Sequence, residues 1–140
     1  SSVIAEAAKG TNVEVCLSTF LCEGASEQVD AFIKGFQEYL NADSEKLTNN
    51  GGNDVVSAVS ALGYDAYMVA IEAIKGADSA DSEAIREALK AVSYEGVTGS
   101  IVFDENGDAD KDTAYIKGVD NATGEFTFVK MQTVADLEGK

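Results

Sequence analysis

The densest chemistry in the 140-residue chain is a run of oxygen ligands, Asp104, Asn106, Asp108, Asp110 and Asp112. Alternate carboxylates and amides are the pattern of an EF-hand calcium loop. Counted from Asp104, the sixth position is Ala109, where the sharp turn needs Gly, and the twelfth is Tyr115, where a bidentate Glu is needed. The run therefore reads as a solvated acidic turn. Glu6, Glu14, Glu23 and Asp65 are further carboxylates, but nothing in their spacing forces two of them together as glycoside hydrolysis requires. Gly51-Gly52 lacks the following Lys of a phosphate cradle. Asn121-Ala122-Thr123 fits the N-glycosylation pattern, and a turn explains Asn121 and Gly124 equally well. Cys16 and Cys22 are six apart; on one strand their Cα atoms would lie about 20 Å from each other. A disulfide needs under about 7 Å, so two free thiols are expected.

The chain has no His, which removes the Ser-His and Cys-His nucleophile pairs and the commonest metal ligand together. No cofactor motif is present, and no enzymatic activity is expected. Lys and Arg number 10 against 25 Asp and Glu, a net charge of −15. That surface repels phosphate backbones, so nucleic acid is not an expected partner. Hydrophobic residues make up 45 % and charged residues 25 %, a globular composition. No apolar run reaches the roughly 20 residues of a membrane span. The opening Ser1-Ser2-Val3-Ile4 reads as the middle of something longer.

Val3–Ala8 reads as a short helix capped by Ser2 and stopped by Gly10. Val13, Val15 and Leu17 alternate with Glu14, Cys16 and Ser18 as a strand does. Ser26 caps a helix with Val29, Phe32, Ile33, Phe36 and Leu40 on one stripe. Asn41 to Asn53 is polar, with Asn-Asn-Gly-Gly inside it, and reads as an exposed loop. Val55 to Ile74 is apolar on most faces, so a central, buried helix ended by Gly76 is expected. Asp81 or Ser82 caps the next helix, with Ala84, Ile85, Ala88, Leu89 and Val92 inward. Strands follow at Ser100–Phe103, around Tyr115 to Val119, and from Phe126 to Met131, the last two as a hairpin. The strand at Val13–Leu17 has no obvious parallel partner within the chain.

Several short stretches, in order, carry more than periodicity. They are Ala61-Leu62-Gly63-Tyr64-Asp65-Ala66, Ala70-Ile71-Glu72-Ala73-Ile74-Lys75-Gly76-Ala77, Asp81 through Leu89, Tyr94-Glu95-Gly96-Val97-Thr98-Gly99, and Phe103-Asp104-Glu105-Asn106-Gly107-Asp108. In this order and spacing the chain, from about Ser2 to Met131, resembles the C-terminal part of the branched-chain amino-acid binding proteins. These are type 1 solute receptors of ABC importers. The resemblance implies an α/β fold: a C-terminal fragment of a type 1 periplasmic-binding-protein fold with three-layer αβα lobes. Here that means helices around a small sheet plus a C-terminal β-hairpin. Residues 1–134 would form part of a two-lobe solute-binding domain, and 135–140 a frayed tail.

The same resemblance implies the function: capture of leucine, isoleucine, valine or a related amino acid between two lobes, for delivery to a membrane permease. A ligand-sensing domain of the same fold is the alternative. The site would be extracellular or periplasmic, on a protein that is lipid-anchored or secreted. The family's amino-group-binding carboxylate would lie just upstream of Ser1, and the grip on the ligand carboxylate further upstream still. Ala61 and Tyr64, three apart on one helical face, are the cleft-facing residues by alignment with the family. Ala61 would leave room for a ligand side chain and Tyr64 would offer a hydroxyl; ordinary helix packing is the competing role for both. The family's short, often Pro-containing loop before the central helix is here longer and Pro-free. With neighbouring sequence absent, strand edges at Val13–Leu17 and Ser100–Phe103 would be open, and a homo-oligomer or segment exchange is expected.

Overall fold

The computed structural model of the chain describes residues 2–138. The elements run α1 (Ser2–Ala8), β1 (Cys16–Thr19), α2 (Glu27–Asn41), α3 (Ser44–Asn49), α4 (Ala58–Ala77) and α5 (Ser82–Leu89). They continue with β2 (Tyr94–Gly96), β3 (Gly99–Phe103), β4 (Ala109–Asp110), β5 (Thr113–Asp120), β6 (Glu125–Thr133) and α6 (Ala135–Glu138). Two antiparallel three-stranded sheets result, ordered β1-β5-β6 and β2-β3-β4.

Local chemistry accounts for most boundaries. The Ser26 hydroxyl accepts from the Val29 amide 3.2 Å away and starts α2, while Glu27 and Asp30 favour its dipole. Ser57 caps α4, and Asp81 caps α5 by accepting from the Glu83 and Ala84 amides. Gly10 turns the chain out of α1 with φ +72°. Ser2, expected as the cap of α1, belongs to the helix itself.

Several expectations need correction. The first strand is shifted: it covers Cys16–Thr19 rather than Val13–Leu17. The carbonyls of Thr11 and Val13 are taken instead by the Asn121 side-chain amide, at 2.8 and 2.9 Å, which pulls that stretch out of the ladder. The expectation that β1 is open also needs revision, although its partner is antiparallel and none is parallel among the described residues. β1 pairs antiparallel with β5, Cys16 opposite Gly118 and Thr19 opposite Tyr115, and keeps one free edge. The strand at Gly99–Phe103 has both neighbours within the chain, β2 and β4. The polar stretch after α2 contains a helix, α3, capped by Asp43 through the Glu45 amide; the Asn-Gly-Gly that reads as loop is that helix's stop, with Gly51 at φ +80°.

The largest correction concerns α4. It is not buried all round: Ala61, Asp65, Val69 and Ala73 face inward, whereas Val59, Tyr64, Tyr67 and Ile74 are exposed. It runs one residue past Gly76 and ends on Asp78, in the left-handed conformation at φ 47°. The core joins the start of α4 to α2 and to the β2–β3 turn, through Leu21, Val29, Ala61 and Val97, with Phe32, Ile33 and Val56 packed against it. Val29 is 1 % exposed, and burying such a side chain contributes roughly 1.5–3 kcal/mol. Cys16 is exposed and Cys22 buried, both as free thiols. Residues 135–138, part of the expected tail, form the helical turn α6, and 139–140 lie outside the described residues.

Candidate functional site

The Gly-Tyr-Asp-Ala turn of α4 sends consecutive side chains to opposite sides. Asp65 points inward and is 1 % exposed. Its Oδ1 accepts from the Val97 amide at 2.9 Å, and its Oδ2 from the Thr98 amide at 2.8 Å and the Thr98 hydroxyl at 2.6 Å. Three donors at a buried carboxylate offset the cost of taking it out of water. Lys111 Nζ donates in turn to the Thr98 hydroxyl at 2.5 Å. Burial pushes the Lys111 ammonium below its ordinary pKa, and the Asp65 charge opposes that shift. This network binds α4 to the β2–β3 turn. Asp65 is thereby spent on structure. Glu6, Glu14 and Glu23 are exposed on α1, ahead of β1 and in the β1–α2 loop.

Tyr64 faces outward, 42 % exposed, with its ring tilted over Phe32 at a centroid distance of 5.0 Å. Phe32 continues to Phe36 at 5.8 Å, and Phe36 to Tyr39 at 6.1 Å, where Lys46 Nζ stands 3.8 Å above the ring. Ala61 does not share that face. It has no exposed surface, being enclosed in the core with Leu21, Val29 and Val97. Its small side chain packs among Leu21, Val29 and Val97, while Tyr64, three residues on, stays exposed.

A cavity of about 280 Å³ opens between the β1–α2 loop, α2, the entry to α4 and the β5–β6 hairpin. Leu21, Ile33, Val55, Val56 and Phe126 give it apolar walls, and Glu23 and Lys117 give it one carboxylate and one ammonium. Lys117 Nζ lies 4.6 Å over the Phe126 ring. Cys22 also lines it, but burial raises the thiol pKa, so it is a poor nucleophile. Such a cavity suits a small molecule carrying both charges and an aliphatic body; it pairs no nucleophile with a base. Lys117 and Phe126 escape sequence reasoning because only the pairing of β5 with β1 brings the hairpin to Leu21, far away in the chain. A second, open groove of about 390 Å³, lined by Leu62, Ala66, Val69, Ala70, Ile85 and Leu89 of α4 and α5 and by Ile101 and Phe103 of β3, is almost wholly apolar.

The turn at Asp104 is self-contained. The Asp104 Oδ1 accepts from the Asn106 and Asp108 amides, both at 2.9 Å. Among the described residues no group of three or more His, Cys, Asp or Glu is placed to hold a metal ion.

No curated protein sequence matches the chain. A family profile described as periplasmic binding protein matches residues 3–124. Among solved structures, the leucine-binding protein LivK of Thermotoga maritima MSB8 is similar, at 31 % sequence identity and a TM-score of 0.62. The alignment covers 94 % of this chain and 33 % of that one, so the chain spans a third of the length of its structural relative. With residues 3–124 matched, most of the chain from α1 through β5, the chain belongs to the periplasmic binding protein family.

Proposed function

We propose that this chain forms part of a solute receptor that captures a branched-chain or related amino acid and hands it to the permease of an ABC importer. The observation that carries the reading is the likeness to a leucine-binding protein at 31 % identity over nearly the whole chain. The cavity beside Glu23 and Lys117 adds aliphatic walls and two charged groups, without the main grips that the resemblance puts upstream. The receptor acts by binding alone, and ligand stabilises closure of one half of the molecule on the other. Tyr64 offers its phenol to the ligand from the exposed side of α4, and Ala61 acts through packing beneath it. The working location is extracellular or periplasmic, with lipid anchoring or secretion supplied elsewhere in the protein.

Isothermal titration of the polypeptide in which this sequence naturally occurs, against leucine, isoleucine and valine, tests the reading. Micromolar binding of at least one is expected, and no binding of any would end it. The 140 residues alone are expected to bind weakly or not at all, because the resemblance puts most of the ligand's polar grips upstream. Micromolar affinity in the isolated chain would instead put a whole site within these residues.

A further inference from the structure

The two sheets are joined by two connections of unequal length. The segment from β1 to α2 spans residues 20–26, with Leu21 and Cys22 buried, and is followed by four helices before β2. The segment from β4 to β5 has only Lys111 and Asp112. Each of these two residues is fastened to a different side. Lys111 Nζ donates to the Thr98 hydroxyl at 2.5 Å, and that hydroxyl donates to Asp65 Oδ2 at 2.6 Å, so Lys111 belongs with α4 and β3. The Asp112 carbonyl accepts from the Val134 amide at 3.0 Å, and its carboxylate from the Thr113 hydroxyl at 2.7 Å, so Asp112 belongs with β5 and β6. Gly99 marks the same junction: its φ is +99°, and an added Cβ would stand 3.4 Å from Thr113 Cβ. The boundary between the two halves thus falls within a single peptide link.

We propose that Lys111 is a positioning residue which, through Thr98 and Asp65, sets the direction in which β5 leaves the helical half and hence the angle between the two sheets. The short connection constrains that angle directly, because only Lys111 and Asp112 separate β4 of one sheet from β5 of the other. The Lys111 stem lies in the apolar groove beside Ile101, Phe103 and Ala109, which restricts where its ammonium can reach. Thr98 is 1 % exposed, so the link is shielded from competing water in a way surface ion pairs are not. The inference goes beyond solute capture and holds whichever solute is bound.

The test is a distance distribution between spin labels at Glu87→Cys on α5 and Lys130→Cys on β6, both exposed positions, in the 140-residue chain with Cys16→Ser and Cys22→Ala, diluted into excess unlabelled chain so that only pairs within one molecule are read. Lys111→Met keeps the stem and removes the donor. It is expected to make the distribution about twofold broader, with the thermal midpoint little changed. Lys111→Arg keeps a donor and should leave it narrow. Thr98→Val should broaden it, and Thr98→Ser, which retains the hydroxyl, should not. An unchanged distribution in Lys111→Met overturns the proposal. So does equal broadening in Thr98→Ser and Thr98→Val, since the methyl would then be the cause. Should the buried Thr98→Val chain fail to fold, the Met and Arg variants at half-exposed Lys111 decide alone.

Discussion

The carboxylate of Asp65 occupies the space in which a Cβ at Gly96 would stand: that atom would lie 2.6 Å from Cγ and 2.7 Å from Oδ1. The approach is what lets the same carboxylate take the amides of the next two residues, Val97 and Thr98. Gly96→Ala must therefore push α4 off the β2–β3 turn. A loss of about 3 kcal/mol is expected by urea denaturation, from overpacking and weakened buried hydrogen bonds. Gly63→Ala, on the same helix with nothing within 4 Å, should instead gain about 0.5–1 kcal/mol.

Asp65→Asn keeps the size of the side chain but turns one acceptor into a donor facing the Thr98 or Val97 amide. A buried donor left opposite a donor costs about 1–3 kcal/mol, and the lost charge adds to it. The midpoint of denaturation should fall well below that of Asp104→Asn, whose site is on the surface; equal losses would mean the buried network is not what ties α4 to the β2–β3 turn.

The Asp104 carboxyl is held below its ordinary pKa of 3.8, first by the Asp108 amide and also by the Asn106 and Gly107 amides. A depressed folded pKa means that the turn's stabilisation is complete above the unfolded value and disappears as pH falls through the folded one. Titration of the Asp108 amide shift by NMR should therefore give a midpoint under 3.8. Because the oxygens already serve their own loop, millimolar calcium should leave the thermal midpoint unchanged. A shift of many degrees abolished by Asp108→Ala would show a real site.

All-round apolar character in α4 predicts that Ala66→Leu and Ala70→Leu overpack a core. In the fold both are exposed along the open groove, and in this chain each should change stability by under about 0.5 kcal/mol. Ala61→Leu and Ala73→Leu, at buried positions, should cost about 1–3 kcal/mol. Denaturation curves of the four variants separate the two cases.

What was legible in the sequence was local. The caps at Ser26 and Asp81, the stripe of α2 and the β5–β6 hairpin follow from rules acting within a turn or two. The motif order also gave the family. What was not legible depends on partners distant in the chain. The start of β1 is set by Asn121, more than a hundred residues away. The hidden face of α4 is decided by Val97 and Leu21, so Ala61 and Tyr64 part company although their spacing puts them together. The cavity has the same origin, since Lys117 reaches Glu23 only once β5 has found β1.

The groove along α4 and α5 and the free edges of β1 and β6 give the chain apolar area and open backbone groups to cover. Association with a second copy or exchange of segments is expected, opposed by a charge of −15 and favoured by salt that screens it. Sedimentation velocity at moderate salt checks this; a monomer across a wide concentration range, with cooperative unfolding, would contradict it.

Asn121 is the acceptor asparagine of its Asn-Ala-Thr triplet, and its amide nitrogen is already committed to two carbonyls ahead of β1. An oligosaccharide on that nitrogen would leave it one N–H, so at most one of the bonds to the Thr11 and Val13 carbonyls could form. In a host whose secretory pathway modifies such triplets, sugar transfer and closure of this staple would compete for the same atom. The occupied fraction recovered from such a host would time how soon the two ends of the chain meet.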